Sequence, residues 1–114
     1  MPPVPYKSQF FDGVFAISIW SHFSEKVAME WFVEMRRILK PGGFLFFTAH
    51  GLRSFYRCLE TSSISIASLV PLLGEFLCSQ FVFERRFENS FDCFGLEVEG
   101  WGDAYFSYEW ISRK

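Results

Sequence analysis

The chain has 114 residues, a length that fits one domain, and 50% of them are hydrophobic, which is ample for a core and excludes a disordered tail. Lys and Arg total 11 against 13 Asp and Glu, so the net charge of -2 offers no electrostatic footprint for nucleic acid or an anionic membrane. The aromatic share of 21%, with 16 Phe and 4 Trp, implies large side chains filling the space between packed layers.

Cys58, Cys78 and Cys93 are odd in number and widely spaced, without a CxxC pair to begin a tetrahedral metal site, and read as thiols of a reducing, cytoplasmic compartment. The start Met-Pro-Pro-Val-Pro lacks the basic n-region and cleavage site of a signal peptide. Ile64 to Leu77 is nearly uncharged but holds Pro71, Gly74 and Glu75, and it is shorter than the ~20 residues of a spanning helix. A membrane is therefore not indicated.

Pro2, Pro3 and Pro5 cannot donate to a strand ladder and mark an entry loop. From Phe11 to Trp20 apolar residues run almost unbroken after Asp12, the pattern of a strand buried on both faces. A helix is expected from Ser24 to Lys40, with Ser24 as cap and Glu25 at the positive end of the dipole. Ala28, Trp31, Phe32, Met35, Ile38 and Leu39 fall on its apolar stripe; Lys26, Glu30, Glu34 and Arg37 form the opposite, solvated one. Pro41-Gly42-Gly43 ends the helix, and Phe44 to Ala49 reads as a second buried strand. Two strands joined by an amphipathic helix make a parallel βαβ unit, expected to be covered on both faces. Functional groups in such sheets gather beyond the carboxyl ends of the strands, here Ser18 to His22 and Thr48 to Gly51.

Beyond Gly51, Leu52 to Leu59 reads as a short helix, Thr61 to Ser68 shows no period, and Pro71 and Gly74 break the apolar segment up to Leu77. Gln80 to Phe87 alternates Phe81, Phe83 and Phe87 with Val82, Glu84 and Arg86, as a strand with one apolar face does, and Leu96 to Glu99 is a candidate partner. Gly100 to Asp103 reads as a turn, and Ser107 as the cap of a helix opening at Tyr108.

The runs FDGVFAISIWSHF and EMRRILKPGGFLFFTAHG closely resemble the fourth strand, following helix and fifth strand of class I S-adenosylmethionine-dependent methyltransferases, over about residues 5–52. The tail Gly102 to Ile111 is similar to the H-S-x-E-Y-V stretch that opens a later helix in some of these enzymes, with Phe106 where His is frequent. The resemblance implies an α/β, partial Rossmann-like methyltransferase fold. It is the second half of the domain, with residues 53–114 as a variable insertion and the start of a later helix. The family's glycine-rich cofactor loop, its ribose-binding acid and its last two strands have no counterpart here. Gly42-Gly43 precedes a strand instead of opening a helix and cannot replace the loop.

The activity implied is methyl transfer from S-adenosylmethionine to a small-molecule or unknown acceptor, with Ser18, Ile19 and Trp20 beside the cofactor's methionine portion. For Trp20 a plain core role is favoured over that contact. His22 and His50 are the only imidazoles able to serve as general base. Each also has a plain reading, a loop histidine that fixes its turn. Asp12 reads as structural, and Tyr105, Ser107 and Tyr108 either close over a substrate or form a turn and cap. A rival expectation is a non-catalytic, truncated remnant that associates through exposed sheet edges. Another is a different Rossmann-like enzyme that shares only the βαβ unit.

Overall fold

A computed structural model describes residues 2–84 and 100–114. β1 (Phe11–Ala16), α1 (Glu25–Ile38) and β2 (Leu39–Phe47) form the expected unit, and the strands pair in parallel, Gly13 to Ala16 opposite Phe44 to Phe47. The Ser24 hydroxyl accepts the Val27 N–H at 3.5 Å to cap α1. The helix ends at Ile38, and β2 begins at once, so Pro41-Gly42-Gly43 is a bulge within the strand rather than a separate turn. Gly42 has φ +80°, the left-handed region that a residue with a Cβ enters at a cost. The ion pair between Lys40 and Asp12, 2.8 Å, spans the start of both strands and gives Asp12 its structural role.

One face of this sheet packs on α1 through Val14, Ala16, Leu45 and Phe47, toward Met35 and Ile38. The other face presents Phe15, Phe44 and Phe46 to solvent. The expected cover on both faces is thus corrected: among the described residues the sheet has two strands and one helical layer.

A second correction concerns α1. Glu34 is buried, not solvated, because the entry segment folds back over it. The Val4 N–H donates to Glu34 Oε1 at 2.8 Å, and Arg37 Nη2 donates to the same oxygen and to the Val4 carbonyl. Arg37 first, then the Val4 amide, hold the Glu34 carboxyl below its ordinary range against the opposing effect of burial. A lowered folded value means that the stabilisation is complete above the unfolded glutamate range and is lost as pH falls through the folded one. Melting temperatures recorded from pH 7 to pH 3 are expected to fall less steeply for Glu34→Gln than for the parent chain. Parallel acid limbs would show that this clamp contributes nothing.

The tail builds a second layer. α2 (Leu52–Glu60) and α3 (Ile66–Ser79) lead into β3 (Phe81–Glu84), which pairs antiparallel with β4 (Asp103–Phe106) before α4 (Tyr108–Ser112). α3 runs through Pro71 and Gly74, both exposed, where the sequence suggested a break. Proline inside a helix costs about 3 kcal/mol. Here Leu69 and Phe76 bury themselves against Phe55, Val82 and Tyr105, which offsets it. Asp103 opens β4 instead of completing a turn, and the strand partner of β3 is β4; Leu96 to Glu99, Arg86 and Phe87 lie outside the described residues. Ser107 caps α4, accepting the Trp110 N–H at 3.1 Å.

The β3–β4 ribbon divides the interior. Phe81, Ala104 and Phe106 join α1 and β2 in one core, while Val82 and Tyr105 join α2 and α3 in the other. Phe81 is core and Phe83 packs partly buried against it, but the expectation of one apolar face is corrected: Val82, on the opposite face, is buried too, because α2 and α3 cover it. The whole is a βαβ-type parallel core with an aromatic-rich α+β tail, a partial Rossmann-like fold.

Candidate functional site at the strand ends

Both strand-end loops converge, as the crevice rule requires. The Ser18 N–H donates to Thr48 Oγ1 at 2.7 Å and the Thr48 N–H to the Ala16 carbonyl at 3.1 Å, which ties the end of β1 to the end of β2. Ser18 is held at φ 57°, a left-handed conformation that non-glycine residues occupy when surroundings impose it, often at functional sites. Ser18 and Ile19 are exposed. Trp20 is not: it opens a 3-10 turn, Trp20–His22, and its ring lies between Phe32 and Phe47 at 5.0 and 5.4 Å. Its Nε1 donates to the Ala28 carbonyl at 3.4 Å.

His22 comes last in the same turn. Its Nδ1 lies 2.9 Å from the Gly102 carbonyl oxygen, which can only accept, so Nδ1 carries the proton and Nε2 the lone pair of the neutral ring. The Gly102 N–H returns the bond to the His22 carbonyl at 2.9 Å. A Cβ at Gly102 would overlap the Glu84 carbonyl, so this close approach of chain to chain needs glycine. The imidazole stacks on Trp101, 5.0 Å between centroids, and its Nδ1 is 3.5 Å from Asp103 Oδ1.

His50 ends the other loop. Its carbonyl accepts the Phe106 N–H at 2.8 Å, its ring lies 5.5 Å from that of Tyr105, and its Nδ1 is 3.4 Å from the Ser54 hydroxyl. The two imidazoles are edge to face, 6.3 Å apart. Strand alternation explains the rest: Asp103 and Tyr105, two residues apart on β4, share a face, and one meets His22 while the other meets His50. The structure therefore brings together Ser18, Ile19, His22 and His50 and places the Trp20 ring beneath them in the core. Asp103, Ser54 and Trp101 join the site although nothing in their sequence surroundings marks them; Asp103 is 81 residues from His22 along the chain and reads there only as part of a turn. A carboxylate beside an imidazole stabilises the imidazolium formed when the ring takes a proton from a hydroxyl or amine.

Among the described residues there is no group of three or more His, Cys, Asp and Glu placed to hold a metal ion, and no helix is long and apolar enough to cross a membrane. Beside the β1 edge a groove of about 410 Å³ is lined by Ile17, Ile19, Trp20, Phe23 and Trp31.

A family model described as a methyltransferase domain matches residues 2–47, which is the entry segment, β1, α1 and β2 up to Phe47. No curated protein and no solved structure matches the chain. The match and the parallel β1–α1–β2 unit together make this part of the chain a partial methyltransferase-like domain.

Proposed function

We propose that the chain forms the second half of an S-adenosylmethionine-dependent methyltransferase domain and takes part in methyl transfer to a small-molecule acceptor as a portion of a longer, cytoplasmic protein. One observation carries this reading. The segment matched by the methyltransferase model is a parallel strand–helix–strand unit, and both imidazoles stand at its strand ends, 6.3 Å apart. Ser18 and Ile19 border the cofactor's methionine portion, with Trp20 supporting them from the core. His50 and His22 take the proton of the acceptor's hydroxyl or amine, and Asp103 stabilises the imidazolium that forms at His22.

The cofactor itself supplies an electrophilic sulfonium methyl when bound. The described residues do not fit the whole of it: the groove beside Ile19 and Trp20 has no charged side chain in its wall, whereas the amino-acid and ribose ends of such a molecule need polar partners when desolvated. By calorimetry the chain alone is therefore expected to bind S-adenosylmethionine weakly or not at all. A dissociation constant in the low micromolar range, about -8 kcal/mol, would overturn the incomplete site.

Supplied with the complementary half of a related domain, the chain is expected to transfer methyl groups, and His50→Ala to lower the rate by about 10²–10⁴. The exposed Phe15, Phe44 and Phe46 favour a second reading, a non-catalytic module that associates through this sheet. Association with the complementary half without any transfer would select it.

A further inference from the structure

The entry segment before β1 lies along α1 as a strap, and one pair of side chains holds its main chain. Glu34 Oε1 accepts the Val4 N–H at 2.8 Å, and Arg37 donates to the Val4 carbonyl at 3.3 Å and to the Tyr6 carbonyl at 2.8 Å. Every N–H of that guanidinium is committed, the others to the Glu34 carboxylate and the Ser8 hydroxyl. The bidentate contact with Glu34 orients the Arg37 fork on its own helix, so the pair forms a seat for an extended backbone. Pro3 and Pro5 flank Val4 and fix φ, which stiffens the strap whether or not it is seated.

Little else retains the strap. Val4 packs partly buried on the core, and the Tyr6 ring meets those of Phe10 and Phe11 at 5.9 and 4.9 Å, but residues 5–10 are all exposed. A segment with so few buried apolar contacts opens locally at low cost. The chain reverses at Ser8 and Gln9, and Gln9 is held at φ 55°, the left-handed region that a residue with a Cβ enters at a cost which extended backbone avoids. The Phe10 N–H donates to the Ile38 carbonyl at 2.8 Å, so the chain is anchored from Phe10 onward and the reversal is confined to the residues before it. The Gln9 N–H, 2.9 Å from the Arg37 carbonyl, opposes opening, but Gln9 is exposed and water can replace that bond.

We infer that the strap is exchanged between two copies of this chain, residues 2–8 of each occupying the Glu34–Arg37 seat of the other, with Gln9 as the hinge. The partner is a second copy because the seat's complement is this segment itself, its main chain at Val4 and Tyr6 and its Tyr6 ring included. Short hinges under strain favour such an exchange. Closed and exchanged forms make the same seat contacts, so relief at Gln9 has to offset the freedom lost when two copies join. Exchanged copies are therefore a minority beside association through the open sheet face. The inference goes beyond the methyl-transfer reading and does not rest on it.

Equal amounts of carbon-13-labelled and unlabelled full chain, unfolded together and refolded at high concentration, test this through isotope-filtered nuclear Overhauser contacts between the Tyr6 and Phe11 rings. Such a contact joins a labelled to an unlabelled copy only if the strap has crossed, whereas association through the sheet face leaves it within one copy. A measurable intermolecular share is expected for the parent chain. Gln9→Val keeps the N–H but makes the left-handed conformation costlier, and should raise that share. Gln9→Gly removes the cost at both hinges of a pair and should lower it by about tenfold. A Tyr6–Phe11 contact confined to single copies in all three chains overturns the inference, and so does an intermolecular share that residue 9 leaves unchanged. If Gln9→Val does not fold, the parent chain against Gln9→Gly decides by the same criteria.

Discussion

Trp20→Ala is expected to destabilise the chain by about 3–5 kcal/mol, the cost of truncating a large buried aromatic. The residue is 2% exposed and is enclosed by Phe23, Phe32 and Phe47, with its indole N–H on the Ala28 carbonyl. Its removal would open a cavity where the 3-10 turn, α1 and β2 meet. Domains of this size commonly have about 5–15 kcal/mol in total, so a substantial share of the stability is at stake. Trp31→Ala is expected to cost less, since Trp31 is only partly buried. His22→Ala should cost about 1–2 kcal/mol, the bond to the Gly102 carbonyl and the contact with Asp103. Urea denaturation followed by far-ultraviolet circular dichroism gives the three midpoints. A Trp20→Ala midpoint equal to that of His22→Ala would show that the ring is not part of the core, and would restore it as a candidate for direct cofactor contact.

The second large effect lies on the open face of the sheet. Phe15, Phe44 and Phe46 are 69%, 53% and 50% exposed, and they form one cluster, with the Phe15 ring 5.5 Å from Phe44 and 5.8 Å from Phe46. Gly13 leaves the space on β1 into which the Phe44 ring settles. Covering a phenylalanine fully is worth about 1.5–3 kcal/mol, and three such rings on one flat surface favour association over solvation. Both β1 and β2 have one neighbour each, so each strand also keeps a free backbone edge among the described residues. Light scattering coupled to size-exclusion chromatography is expected to show concentration-dependent association of the chain. Replacing the three phenylalanines with serine should weaken it by at least about a hundredfold, roughly 3 kcal/mol. Adding the complementary half of a related domain should compete with self-association on the same face. A sharp monomeric peak for the parent chain at all concentrations would contradict this account of the sheet.

Local rules were enough for the βαβ unit, because each of its signals is short in range. The apolar run after Asp12, the Ser24 cap, the cationic last turn and the glycine pair before Phe44 each act within a few residues, and all four point to the same strand, helix and strand. The positions of His22 and His50 at the strand ends followed from that topology alone. Alternation likewise marked Phe81 and Phe83 as core, and Ser107 as a cap.

Tertiary structure decided what depends on partners distant in sequence. Glu34 looks solvated on a helical wheel, yet the entry segment folds over it and exchanges water for the Val4 amide and Arg37. Pro71 looks like a stop, yet burial of Leu69 and Phe76 outweighs one missing hydrogen bond and carries α3 through it. Asp103 looks like a turn residue until β4 pairs with β3 and sets its carboxylate beside His22. Hydrophobic period and capping are read from neighbours along the chain, whereas a charge or a proline has no fixed meaning until its environment, and so its desolvation and its hydrogen bonds, has been assembled by the fold.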